Sequence, residues 1–306
     1  MQSLIHATSI SGMSGCDIAF IHDSIENEDS EKIYGRYNYF SELGFIIASL
    51  TSYFFINISI EMSLVTTSAS SFMAFVMILF TKEISKFKDE TVDNVANKKD
   101  EKFNFRQSFS DFKNIRYIFI FILSIAIINE TSYVINTSLS QIRYQDIGID
   151  IKYIGYIFTF SSLIGLLSSK VYILTNKYSQ EKVLNALLYL MLSCLVVVIF
   201  TQNRILNILS ISIIGGLSSI MYPIITDIKN KSIKDNRATM LSMYSMIGSF
   251  FTSILNIFMG VFTDINLKYA FIFCFIVVMI SIFGVNLYNK QEFKYNKEGL
   301  KYEKEN

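Results

Sequence analysis

TKEISKFKDETVDNVANKKDEKFNFRQSFSDFKNIR, residues 81–116, is the longest polar stretch of this 306-residue chain and carries nine of its 27 Lys and Arg. Three apolar blocks precede it and six follow, at about 3–22, 43–60, 63–80, 116–138, 153–174, 183–200, 205–226, 239–262 and 269–288. Each is close to the roughly 20 residues of helix that cross a bilayer core. A block apolar on all sides needs lipid or other apolar helices around it. With 51% hydrophobic residues, a mean hydropathy of +0.39 and a single Pro, the chain reads as an all-α integral membrane protein with nine transmembrane helices. Connections such as TQNR at 201–204 are short, so neighbouring helices run antiparallel.

Charge orients the bundle. With the long loop in the cytoplasm, all but four of the 27 Lys and Arg fall on that side, the exceptions being Arg143, Lys152, Arg204 and Lys268. Lys170 counts with the inner set because its long stem reaches the near interface. That asymmetry predicts a multi-pass protein of the cell membrane with its long loop and C-terminus cytoplasmic. An odd number of spans then puts the N-terminus outside. Trp is absent, so the interfacial belt falls to Tyr117, Tyr144, Tyr153, Tyr172 and Tyr222 near span ends. Inside the loop, Phe105, Phe109 and Phe112 recur among Lys102, Arg106 and Lys113, the pattern of an amphipathic helix on the inner membrane surface; a linker with scattered Phe is the rival reading. Cys16, Cys194 and Cys274 each lie in an apolar block and form no disulfide framework or metal spacing, so no metal or cofactor is expected. No basic leader opens the chain. Nothing points to nucleic acid.

The chain also repeats. IAFIHDSIENEDSEKIYGRYNYFSELGF at 18–45 and IMYPIITDIKNKSIKDNRATMLSMYSMIGSF at 220–250 each run from an apolar stretch to an Asp, Asp23 or Asp227. A polar loop follows, then an Arg, Arg36 or Arg237, and a Gly, Gly44 or Gly248, in the next span. Spans one to three thus correspond to spans seven to nine, an internal symmetry of the kind sought first in any sequence.

Three local stretches carry a resemblance to a known family: SGCDIAFIHDSI at 14–25, YQDIGIDIKYIGYIF at 144–158 and NRATMLSMYSMIGS at 236–249. In that order and spacing they resemble the end of the fourth helix, the outer connection between helices seven and eight, and the start of helix eleven in the major facilitator superfamily. The resemblance implies a fold of two six-helix halves joined by a long cytoplasmic loop, each half a pair of three-helix units. It begins just before the fourth helix, so three helices of the first half and six of the second are expected. The implied layout is a three-helix remainder at 1–80, a cytoplasmic linker at 81–115, a six-helix half at 116–289 and a cytoplasmic tail at 290–306. The family's gating loop between helices two and three has no counterpart here. The corresponding loop of the second half, SSKVYILTNKYSQEK at 168–182, keeps Lys170, Asn176 and Lys177 and lacks the acidic residue. The proline-glycine antiporter motif is not matched in the second span, so proton-coupled drug efflux is not carried over.

Ionisable groups inside a membrane are costly and mark function by default. Foremost is Glu130, in IAIINETSYVINTS at 125–138. Asn129, Tyr133 and Asn136 share one helical stripe, with Glu130 about 100° round it. In the resembling fold this helix lines the central cavity, which implies substrate contacts on the stripe and a coupling proton on Glu130; the rival is a hydrated carboxylate near the outer interface. Asp17 lies deeper than Asp23 and either faces the cavity or pairs with His22. Asn256, in the eighth span, is either a cavity contact or an interhelical hydrogen bond. Asp23, Arg36, Asp227 and Arg237 stand at inner span ends, where they form an inner gate of ion pairs or act as interfacial anchors. GGLSS at 215–219 and MIGS at 246–249 let helices approach closely.

Enzyme chemistry finds little support. His6 and His22 are the only histidines, and neither HExxH, GxSxG nor a phosphate-binding glycine loop is present. The expected function is secondary active transport of a small solute by alternating access, with a coupling ion as co-substrate and the lipid bilayer as surroundings, in a chain shorter than the full family plan. The alternative is a non-transporting polytopic remnant or sensor.

Overall fold

A computed structural model of the chain describes residues 16–23, 25, 29–80, 112–150, 153–233 and 237–305, with the side chains of 16, 23, 56, 57, 60, 112–116, 237–239 and 291–305 excepted. Most of the first expected span, and the expected surface helix through Phe105 and Phe109, lie outside these residues. Every regular element described is helical. In chain order they are α1 (Cys16–Asp23), α2 (Ser30–Ile58), α3 (Ile60–Leu79), α4 (Phe112–Val134), a π-helical turn (Ile135–Leu139), α5 (Ser140–Asp146), α6 (Ile154–Gly165), a 3-10 turn (Leu166–Lys170), α7 (Val171–Tyr178), α8 (Gln180–Phe200), α9 (Arg204–Lys231), α10 (Arg237–Ile265) and α11 (Leu267–Glu305). Among the described residues seven helical stretches are long and apolar enough to cross a membrane: Glu61–Leu79, Tyr117–Asp146, Ile154–Tyr178, Gln180–Phe200, Arg204–Lys231, Met240–Ile265 and Leu267–Lys290. Of the nine spans expected from sequence, these seven meet that measure among the described residues; α1 is short in the described residues, and α2, though 29 residues long, is not of that set.

The chain forms two compact units, one of Met1–Thr51 with Tyr117–Asn306, the other of Ser52–Arg116. In the smaller unit, Ser59 caps α3 by accepting a hydrogen bond from the Met62 amide. The hydroxyls of Thr66, Thr67, Ser68, Ser70 and Ser71 each donate to the carbonyl four residues back. Five polar side chains are thereby satisfied inside their own helix, as an apolar surrounding demands.

In the larger unit α9 is the central strut, packed against α6 and α8, while α11 lies against α8 and α10. Leu188, Leu195, Ile211, Ile214, Met221 and Cys274 fill the core. Close approach of α6 and α9 depends on the glycines at 215 and 216. A Cβ on Gly216 would stand 2.5 Å from Ile164 Cγ2 and 3.0 Å from the Ser161 carbonyl oxygen. Gly216→Val therefore forces the two helices apart, at a cost of about 1–3 kcal/mol for overpacking. A lowered Tm of the detergent-purified protein is expected, with Gly260→Val as the control, since nothing lies within 4 Å of a Cβ there. Equal melting of the two variants would refute the packing role.

The end of the bundle away from Asp227 is tied by arginines. Buried Arg143 donates through Nε to Asn207 Oδ1 at 2.9 Å, and through its terminal nitrogen to the carbonyls of Val198 and Thr201 at 3.3 and 2.5 Å. Those carbonyls sit at the C-terminal end of α8, which has no intrahelical donors left to offer them. Arg204 Nε donates to the Ile147 carbonyl at 2.6 Å, next to Gly148, whose φ of 76° suits a residue without Cβ.

Candidate functional site

Between α4, α9 and α10 lies a cavity of about 470 Å³. On α4 it is lined by Ala126, Asn129, Glu130 and Tyr133, a set at i, i+3, i+4 and i+7 that occupies one face of a helix. Three of the four sequence candidates on this helix thus share the cavity. Asn136 does not line it; it stands in the π-helical turn, its Nδ2 within 2.8 Å of where a Gly215 Cβ would be. The 100° step that put it on a stripe with Asn129 and Tyr133 holds for α-helix and ends at this turn. Glu130 is half-buried, and its Oε1 accepts a hydrogen bond from Asn256 Nδ2 of α10 at 2.6 Å. Two candidates on separate helices are so joined, Glu130 lining the cavity and Asn256 exposed on α10 outside that lining. Ser132, on the next face, donates to the Ile214 carbonyl at 3.2 Å and holds α4 to α9.

A second polar system runs down one face of α2. Glu31, Gly35, Asn38 and Glu42 follow at i, i+4, i+7 and i+11, and each meets the helices of the 154–231 region. Glu31, 3% exposed, accepts from Thr175 Oγ1 at 2.7 Å and from Gln180 Nε2 at 2.5 Å. Gln180 Nε2 also donates to Asp227 Oδ2 at 2.7 Å, so one amide bridges two buried carboxylates. Asp227, fully buried, further accepts from Ser30 Oγ and pairs with Lys231, one helical turn on, at 2.5 Å. Gly35 faces the Ser168 carbonyl so closely that a Cβ there would come within 2.7 Å of the oxygen. Glu42 Oε1 accepts from Ser219 Oγ at 2.5 Å.

Asn38 makes the most specific of these contacts. Its Nδ2 donates to Ser168 Oγ and to the Ser219 carbonyl, both at 3.1 Å. Pro223, the one proline of the chain, lies four residues after Ser219 inside α9 and has no N–H to give that carbonyl. Asn38 supplies the missing donor from another helix.

Asp17, on α1, is exposed and hydrogen-bonded to Tyr37 of α2, whose ring stacks on Tyr222 of α9 at 6.5 Å between centroids. His22 Nδ1 lies 2.7 Å from the Tyr34 hydroxyl. Of the four expected gate residues, Asp227 stands in the carboxylate cluster and Arg36 is exposed on α2, about 100° round from Gly35. Asp23 ends α1 and Arg237 begins α10, with side chains outside the described set.

Sequence reasoning passed over Ser30, Glu31, Asn38, Glu42, Thr175 and Gln180. For Glu31, Asn38 and Glu42 the signal was the polar stripe of α2, which begins well before the apolar run at 43; Thr175 and Gln180, on α7 and α8, carried none. A search for apolar blocks trims away such a helix start.

A family model described as Major Facilitator Superfamily matches residues 7–254 and again 131–301. The chain belongs to the Major Facilitator Superfamily. The stretch 131–254 is matched twice, as suits a superfamily whose fold is built from repeated helical units. Among curated proteins none matches. Members of the superfamily are transporters rather than enzymes. This chain is accordingly a multi-pass membrane transporter, with the bilayer and a small solute as its surroundings and cargo.

Proposed function

We propose that this transporter is a secondary active one, working by alternating access, with its solute held in the cavity between α4, α9 and α10. The observation that carries this reading is the Glu130–Asn256 pair, an ionisable group of the cavity wall joined across two helices beside a space large enough for a small molecule. Asn129, Tyr133 and Asn256 are the proposed solute contacts and Glu130 the proposed proton acceptor. Asn136 and Asp17 stand as further contacts reached as the helices move. The α2 stripe and its partners form the inner gate: Asp227 with Ser30, Glu31 and Gln180 at the centre, and Asp23, Arg36 and Arg237 at neighbouring helix ends.

The lysine and arginine asymmetry supports a cytoplasmic long loop and C-terminus. The nine apolar blocks of the sequence support a layout of nine spans in segments 1–80, 81–115, 116–289 and 290–306. The test is uptake of a broad panel of small solutes into proteoliposomes under an imposed proton gradient. Flux above empty vesicles that Glu130→Leu removes is the expected result. No flux for any solute, in the presence or absence of the gradient, would refute the reading.

A further inference from the structure

The cavity holds one carboxyl and one amine side chain, and they are not in the same condition. Glu130 already accepts the Asn256 amide. Lys229 also lines the cavity, half-buried near the end of α9, and no acceptor among the described residues meets its ammonium. Its neighbour Lys231 is paired with Asp227. Lys229, two residues after that aspartate, is about 200° round the helix from it and points the other way. Glu130 makes no ion pair with it among the described residues. An ammonium held away from bulk water without a partner is costly, and an anion beside it offsets that cost.

The cavity is elongated. Ser218 and Lys229 both line it from α9, about 16 Å apart at 1.5 Å of rise per residue. Its lining also includes the apolar and aromatic side chains of Ile122, Ala126, Leu241 and Tyr244. We infer that the cavity takes a soluble organic anion, a carboxylate, sulfonate or phosphate on an apolar body, with Lys229 as its counter-charge. The inference rests on the cavity being the solute site and adds the class of solute.

The probes are 1-naphthoate and 1-naphthyl phosphate, with 1-naphthamide as the uncharged analogue, titrated calorimetrically into the detergent-purified full chain. Both anions are expected to bind at least about tenfold more tightly than the amide, the order of one charge-assisted contact. Lys229→Gln removes that preference and Lys229→Arg keeps it, which separates charge from folding. Equal binding of anion and amide, no binding of either anion, or an undiminished preference in Lys229→Gln overturns the inference. So does displacement of naphthoate by short-chain phosphatidylglycerol but not by soluble anions, which would make the ligand a lipid. The transport reading is judged apart: anion preference without flux sinks that reading alone, and flux that Lys229→Gln leaves unchanged sinks the anion alone.

Discussion

Glu130→Leu is expected to lower solute flux at least about a hundredfold, while Glu130→Gln abolishes only accumulation driven by a proton gradient. The two substitutions divide the side chain's roles. Leucine removes both the ionisable group and the acceptor of the Asn256 amide. Glutamine keeps an acceptor oxygen for Asn256 and so preserves the link between α4 and α10, but it carries no titrating proton. Exchange of solute across the membrane, which needs no net proton movement, is therefore expected to survive in Glu130→Gln. The measurement is paired uptake and counterflow in proteoliposomes. Gradient-driven accumulation by Glu130→Gln at the unmodified rate would show that the coupling proton is not carried by this carboxyl. Asn256→Leu is expected to act in the same direction as Glu130→Leu and more weakly, since Glu130 then keeps its charge and loses one partner.

The second large effect concerns Gln180. Its amide touches both Glu31 and Asp227, and only Lys231 brings a positive charge to that pair among the described residues. Gln180→Leu deletes two hydrogen bonds to buried carboxylates and leaves them to repel. A loss of about 3 kcal/mol from the inner contact shifts the ratio of closed to open forms roughly a hundredfold. The readout is the rate at which an impermeant maleimide added at the inner face modifies Ser218→Cys, with Cys16, Cys194 and Cys274 replaced. A strong increase is expected, and Glu31→Gln introduced on top should reverse it by removing one of the two charges. No increase, or no reversal, would mean that the cluster is not a gate.

Acidity gives the same contact a sign. Glu31 stands in the first turn of α2, ahead of the apolar run, and burial raises its carboxyl above the ordinary range despite the hydrogen bonds from Gln180 and Thr175, with Asp227 pushing the same way. A carboxyl raised in the folded, closed state favours that state while protonated and loses the contribution as pH climbs through its raised value. Inner accessibility is therefore expected to rise with pH in the unmodified chain and to be flat over the same range in Glu31→Gln. Accessibility that falls with rising pH would contradict the assignment.

The apolar blocks were legible in the sequence because a membrane helix advertises itself locally. About twenty apolar residues in a row have few other places to go. Asn129, Glu130 and Tyr133 were legible for the same local reason, as polar groups inside such a block. The glycines at 215 and 216 were legible as sites of close approach, and the structure supplies their partners in Ile164 and Ser161. Asn136 departed from its expected stripe because a π-helical turn breaks the 3.6-residue register there. The bridge from Glu31 to Gln180, 149 residues apart, has no local trace. Nor does the match of Asn38 to a carbonyl left without a donor by Pro223, across 181 residues. By itself, the sequence determined that this is a helical membrane chain and which of its helices carry polar groups. Which polar group answers which was decided only by the tertiary structure, because a buried donor takes its acceptor from whatever helix packs against it.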